Sequence, residues 1–477
     1  MRIDQVSPST VMDDERPASD HLQEFWAALG GSSQSLGACG FSGSGDLMSP
    51  FRVTDLATAA IGAAGTAVAE LLQASTGRLP AVRVDRRMAS LWFGASLRPL
   101  GWTLPPLWDP VAGNYRARDR WIRLHTNAPH HRDAALSVLR CAADAQSVAH
   151  AVSRWEAGAL EDAVVAHGGC AAAMYSRQEW AGHPQGKAVA SEPLLHVHME
   201  SRVAAREWQP SPDRPLRGIR VLDLTRILAG PVATRFLAGL GAEVLRIDPY
   251  GWEEPGTVPE VVLGKRCARL NLKDAADLDT LRRLLRSADI VVHGYRADAL
   301  ARLGLDAARR RALNPALIDV SLDAYGWSGA WRCRRGFDSL IQMSTGIAEA
   351  GMRAMDGDEP VNLPVQAIDH ATGYLMAAAA VRGLTARMAQ GAGTEVRASL
   401  ARTAAVLQWR PERISELVGV AADTPDDRAG HVEPTSWGPA ARLLPPLEIE
   451  GAPLAWFYPA RALGSHAPEW LSSNEEL

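Results

Sequence analysis

Cysteine is scarce and unpaired. Cys39, Cys141, Cys170, Cys267 and Cys333 are the only five in 477 residues, and no C-x-x-C pair occurs. That excludes a disulfide framework or a thiolate zinc site and fits a reducing compartment. An excess charge of one sign is also missing. The net charge is −4 and the isoelectric point about 6.4, so no basic field invites nucleic acid. Nor does the chain read as carrying a membrane span of roughly 18 apolar residues. The closest stretch, Ala57–Leu72, is alanine-rich and interrupted by Glu70. The first residues, MRIDQVSPSTVMDDERPASD, are acidic and polar, without the basic-then-apolar layout of a signal peptide. The expectation is a soluble, cytoplasmic protein with no nucleic-acid or membrane partner. His125, His130 and His131 lie close together but lack a carboxylate or cysteine at ligand spacing, so no metal is expected.

What is present is ordinary for a globular chain: 47% hydrophobic and 22% charged residues. The length suggests about two to four domains. Residues 1–50 read as a disordered lead to residue 20, a short helix over His21–Leu29, and a Gly/Ser-rich connector, GGSSQSLGACGFSGSGD, which lacks the lysine of a phosphate-binding loop. Residues 51–210 read as a smaller, mixed domain. It opens with an alanine-rich helix ended by Gly77, followed by a strand and helix over 81–92, a hairpin turning at Arg118–Arg120, helices to about Ala166, and a loop turning at His183–Gly186. SPDRPLRG (211–218) is a polar linker.

The pattern then changes. GIRVLDLTR, EVLRIDP, DIVVHGY and PALIDVSLDAYG are apolar strands separated by helical stretches, the signature of a parallel, doubly wound sheet. Residues 216–410 are therefore expected to form a Rossmann-like α/β domain, and 411–477 an extended tail. A nicotinamide cofactor is unexpected. The first loop, LTRILAGP, has one glycine followed by proline where the dinucleotide fingerprint needs G-x-G-x-x-G.

One stretch organises the rest. LPVQAIDHATGYLMAAAAVRG places Asp369 where a polar run turns into an alanine-rich helix. Setting Asp55 on Asp369 gives an offset of 314 residues that aligns D-x-A-T, alanines, Gly77 with Gly391, and Val82-Arg83 with Val396-Arg397, a candidate internal repeat. An acid at a helix start is commonly a cap, and Asp55 reads as one, or as a relic.

From GIRVLDLTRILAGPVATRFLAGLGAEVLRIDP through GKRCARLNLK, ADIVVHGYRADALARLGL, NPALIDVSLDAYGWSG and RRGFDSLIQMSTGI, the chain resembles, block by block and in order, a family III CoA-transferase (CaiB/BaiF type). Residues 51–210 resemble that family's second-domain region placed ahead of the α/β half, a rearranged layout similar to a bacterial subgroup. The resemblance implies transfer of coenzyme A from an acyl-CoA to a small carboxylic acid. Asp369 would be the nucleophile, forming a mixed anhydride and then an aspartyl-CoA thioester. CoA would be a substrate rather than a resident cofactor, and the assembly a homodimer. The helix start would keep Asp369 ionised and lend N–H donors to the developing oxyanion. His370, adjacent in sequence, would point about 100° away on a helix and is not assigned as the base. Position by position, the resemblance implies CoA contacts at Ile227, Ala229, Leu270, Lys273, Tyr295, Arg296, Arg302 and Arg335. Gly294 and Pro249 depart from the family's usual residues.

Two alternatives stay open. An α-methylacyl-CoA racemase on the same fold would need a histidine before the aspartate of the G-x-D block, and this chain has Gly336-Phe337-Asp338. Phenylalanine cannot carry a proton. A non-catalytic CoA-binding scaffold would need neither.

Overall fold

The computed structural model describes residues 16–200, 207–410 and 413–471. Its largest sheet has seven strands: β1 (Leu195–Glu200), β2 (Arg220–Leu224), β3 (Glu243–Asp248), β4 (Lys265–Arg269), β5 (Ile290–His293), β6 (Ile318–Asp323) and β7 (Gly393–Ser399). They run in the order β4-β3-β2-β5-β6-β7-β1. All neighbours are parallel except β7 and β1.

The apolar runs behave as the strand period requires. Val221, Val244, Ile290 and Val292 enter one core, packed by helices Ala229–Gly239 and Ala367–Gln390. Leu222, Leu245 and Val291 enter the other, with Leu281, Leu284 and Leu285 of helix Ala275–Ser287. Burial on both faces is why these strands read as near-continuous hydrophobics. Asp274 starts the latter helix by accepting from the N–H groups of Ala276 and Asp277.

Helices Val53–Thr76 and Ala367–Gln390 pack along one another at the centre of the larger core. Both have 24 residues. Ala60, Ala63, Ala64, Ala377 and Ala378 are fully buried, and small side chains of this kind let helix backbones approach closely. At the offset of 314 residues the backbones match in detail. Val53 N–H donates to Phe51 O and Ala367 N–H to Val365 O. Both helices end on a left-handed glycine, Gly77 and Gly391. Each is followed by a strand whose last residue, Asp85 or Ser399, caps a further helix. Val53–Thr76 is long and apolar enough to cross a membrane by length and composition, contrary to the sequence reading. Val53 through Leu72 of it are buried within the protein core, and only its last turn is exposed.

Three small sheets flank this centre. Cys39–Ser42, Val82–Asp85 and Leu447–Ile449 form one; Leu97–Pro99, Gly438–Arg442 and Glu433–Thr435 a second; Gly113–Arg116, Trp121–Leu124 and Ala171–Ala173 a third. The C-terminal segment thus completes two sheets begun near the other end of the chain. Arg442 fastens it by pairing with Glu433 at 2.8 Å and Glu260 at 3.1 Å.

Several local expectations change. The lead to residue 20 lies outside the described residues up to 15, and Arg16–Ala28 is helical. The Gly/Ser-rich connector contains a strand, Cys39–Ser42, because it pairs with Val82–Asp85 far along the chain. The loop at His183–Gly186 is instead a junction of two helices, Arg177–Gly182 and Pro184–Ala190. A Ser176–Glu179 capping box starts the first, and the His183 ring with Pro184 starts the second.

Candidate active site

β2 is flanked by β3 on one side and β5 on the other, so the chain leaves the sheet in opposite directions there. Open α/β sheets bind ligands at the carboxyl ends of strands at such a point. A cleft of about 340 Å³ opens there. Arg226, Ile227, Tyr295, Arg335, Phe337 and Asp369 are among its walls.

Ile227 ends the turn after β2 with φ at 65°, a conformation a β-branched residue adopts only when its surroundings impose it. Its N–H donates to Glu254 Oε1 at 2.9 Å. The turn aims the uncapped first turn of helix Ala229–Gly239 at the cleft. Gly373 lets that helix start lie against the Asp369 helix. A Cβ there would stand 2.4 Å from Ala229 O.

Asp369 is the third residue of its helix and 6% exposed. Gln366 supplies no side-chain cap. The cap comes from outside: Asp369 N–H donates to Asp338 Oδ2 at 3.0 Å. Asp338 sits on helix Asp338–Ser344, is 1% exposed and receives the Gln342 amide. This corrects the expected electrostatics. Burial, and then the charge on Asp338, push the Asp369 carboxyl well above the usual range. Burial also lifts Asp338, to about 6. Two desolvated carboxyls this close do not both ionise readily. The helix start does not by itself hold Asp369 as an anion.

The structure brings Asp369, Ile227, Ala229, Tyr295, Arg296 and Arg335 to one cleft. It does not bring Leu270, Lys273 or Arg302 there. Leu270 is buried in the core beneath the sheet. Lys273 is exposed in the turn before Ala275. Arg302 is largely exposed and pairs with Asp298 on its own turn. His370 stacks on Phe93 at 4.7 Å, and burial drops its ring to about 3, so it turns away from the cleft chemistry.

Five residues outside the expected contact set contribute. Arg226 is sandwiched by Trp252 at 4.5 Å and Tyr295 at 5.2 Å. Its guanidinium is thereby fixed on the cleft wall. His130 and His131, considered only as metal ligands, line the cleft from helix Pro129–Leu139. His125 stacks face to face on Phe337 at 3.7 Å. Asp338 stands in the quoted G-F-D block, and that adjacency was the available signal.

Asp55 is not a side-chain cap. Its carboxylate, 1% exposed, pairs with Arg86 at 2.6 Å and Arg52 at 3.4 Å. It does not line the cleft. A larger cavity of about 850 Å³ lies beside β1 and Arg382 and holds none of the expected site residues.

Residues 216–412 match the model of CoA-transferase family III. An acyl-CoA transferase of Fusarium pseudograminearum is 31% identical over 245 residues, 46% of this chain and 53% of that protein. Succinyl-CoA:glutarate CoA-transferase of Mus musculus is 30% identical over 248 residues, 49% and 54% of the two chains. A crystal structure of Rv3272 from Mycobacterium tuberculosis is 31% identical with a TM-score of 0.37, covering 41% of this chain and 57% of that one. The chain spans about half the length of the curated relatives it matches.

Proposed function

We propose that the protein is an acyl-CoA:carboxylate CoA-transferase of family III in which Asp369 carries the acyl group and then CoA. The observation that carries this reading is the placement of Asp369 in the cleft at the switch point, with Arg226, Arg296 and Arg335 on the same walls. Convergent guanidinium groups suit the phosphates of a CoA thioester.

In the proposed sequence, a carboxylate oxygen of Asp369 attacks the thioester carbonyl. The C–S bond breaks, leaving a mixed anhydride and CoA thiolate. The thiolate attacks the Asp369 carbonyl, and the donor acid departs with one former Asp369 oxygen. An acceptor carboxylate then attacks the aspartyl thioester and expels the thiolate. The thiolate attacks the acceptor carbonyl, giving the new acyl-CoA and a free Asp369 that retains one acceptor oxygen. Each intermediate is an activated acyl group, so little free energy is lost between steps.

The proposal includes a Rossmann-like CoA domain at 216–410, a second domain at 51–210, a homodimer and a cytoplasmic location. A second reading, α-proton exchange, gains one supporting observation: His130 shares the cleft with Asp369 and could act as the second base that Phe337 is not.

The test is a matrix of acyl-CoA donors against carboxylic acids, with Asp369→Ala as control. Transfer that needs both an acceptor and Asp369 supports the proposal. Deuterium uptake at the α-carbon without an acceptor, in place of transfer, supports the second reading.

A further inference from the structure

Asp338 stands at the end of an unbroken run of buried and half-buried polar contacts. Arg123, on strand Trp121–Leu124, donates to Asn114 Oδ1 at 2.9 Å. The Asn114 amide donates to Asn362 Oδ1 at 3.4 Å, and Asn362 to Gln342 Oε1 at 3.1 Å. Leu363 N–H donates to the same oxygen at 2.8 Å. With its own oxygen doubly engaged, the Gln342 amide is oriented to donate to Asp338 Oδ1. The other carboxylate oxygen receives Asp369 N–H. Asp338 therefore has the donors of a carboxylate held in one orientation, and it spends them on the turn that carries Asp369.

We propose that Asp338 is a positioning residue for the reaction, capping the Asp369 turn from a separate helix and governing through its charge when Asp369 is an anion. This rests on the reading of Asp369 as the carrier. Asp338 accepts several hydrogen bonds, which favour its ionised form. Asp369 has none of that support and faces the charge. The negative charge of the resting pair thus lies on Asp338, and the proton on Asp369. Asp369 becomes nucleophilic when it gives up that proton.

Arg226, Arg296, Arg335, His130 and His131 share the cleft with Asp369, and the charged groups on the packed elements are engaged elsewhere. Arg123, the cation acting on Asp338, is 8% exposed and lies over the Trp108 ring at 4.6 Å. His125 meets Ser339 of the Asp338 helix and is held well below its ordinary value by burial. Glu349 pairs with Arg353, and Arg402 donates to Glu192 O. His370 faces Phe93.

The experiment is kcat/KM against pH for wild type, Asp338→Asn and Gln342→Leu, with melting temperatures and trapping of the acyl-enzyme by hydroxylamine. Asp338→Asn keeps an oxygen for the Asp369 N–H and removes the charge. Its acid limb should move to lower pH by about one unit or more. Gln342→Leu removes a donor that favours ionised Asp338, so its limb should move the same way by less. Asp338→Ala, which also loses the cap, should lose at least about tenfold in kcat with KM for the acyl-CoA nearly unchanged. If Asp369 is trapped but the limb stays in place in Asp338→Asn and Gln342→Leu, Asp338 is merely structural and the proposal is overturned. If wild-type Asp369 is never trapped, the underlying reading fails, and this proposal with it.

Discussion

Gly373→Ala adds one methyl group at the closest helix crossing beside the cleft. The new Cβ would lie 2.4 Å from the Ala229 carbonyl oxygen and 2.9 Å from Val232 Cβ. The nearer atom is backbone, so no side-chain rotation relieves the contact. Helix propensity alone would favour alanine by about 0.8–1 kcal/mol. Overpacking costs about 1–3 kcal/mol, and a backbone clash belongs at the upper end. The balance is a net loss of about 1–2 kcal/mol, read as a melting temperature lowered by a few degrees. The relief is also directional. It moves the first turn of helix Ala229–Gly239 away from Asp369, so KM for the acyl-CoA should rise by more than the stability loss explains. Thermal melts and steady-state kinetics on the same preparation separate the two. A variant that melts at or above wild type with unchanged KM would refute the argument that this glycine sets the cleft.

Two further outcomes follow from buried charge elsewhere. Arg86→Leu leaves the Asp55 carboxylate buried with only Arg52 at 3.4 Å, which should cost about 3–5 kcal/mol in denaturant unfolding. Adding Asp55→Asn should recover much of that, and equal stability of all three proteins would contradict the ion-pair account. His21 is buried with neither ring nitrogen partnered, and burial lowers it to about 4. Its contribution is complete above about pH 6.5 and is lost as the pH falls towards 4, reaching about 2 kcal/mol by pH 5. His21→Leu should flatten stability against pH over that window, and an unchanged slope would count against it.

The α/β half was legible because its strands are buried on both faces and its helices start on acids such as Asp274. Both signals are local. The start of the Asp369 helix was legible from the change of a polar run into alanines, and the paired helices from their constant offset. The cap on Asp369 was not, because Asp338 reaches it across 31 residues through a contact that only the fold creates. His130 and His131 were read as failed metal ligands because nothing local shows that the Pro129–Leu139 helix lies over the cleft. Leu270, Lys273 and Arg302 were expected at the site and fall outside the cleft. A matching position fixes where a residue falls along the chain, but the side-chain direction depends on strand phase and on neighbours such as Asp298. The Cys39–Ser42 strand has too few apolar residues to announce itself and exists because Val82–Asp85 pairs with it.

The central claim is that Asp369 exchanges an oxygen with its substrates at each turnover. Turnover with an acceptor acid carrying heavy oxygen in its carboxylate, followed by mass spectrometry of the peptide containing Asp369, tests it directly. The account predicts heavy oxygen in the Asp369 carboxylate, dependent on the acyl-CoA donor. Completed CoA transfer with that peptide unlabelled would contradict it.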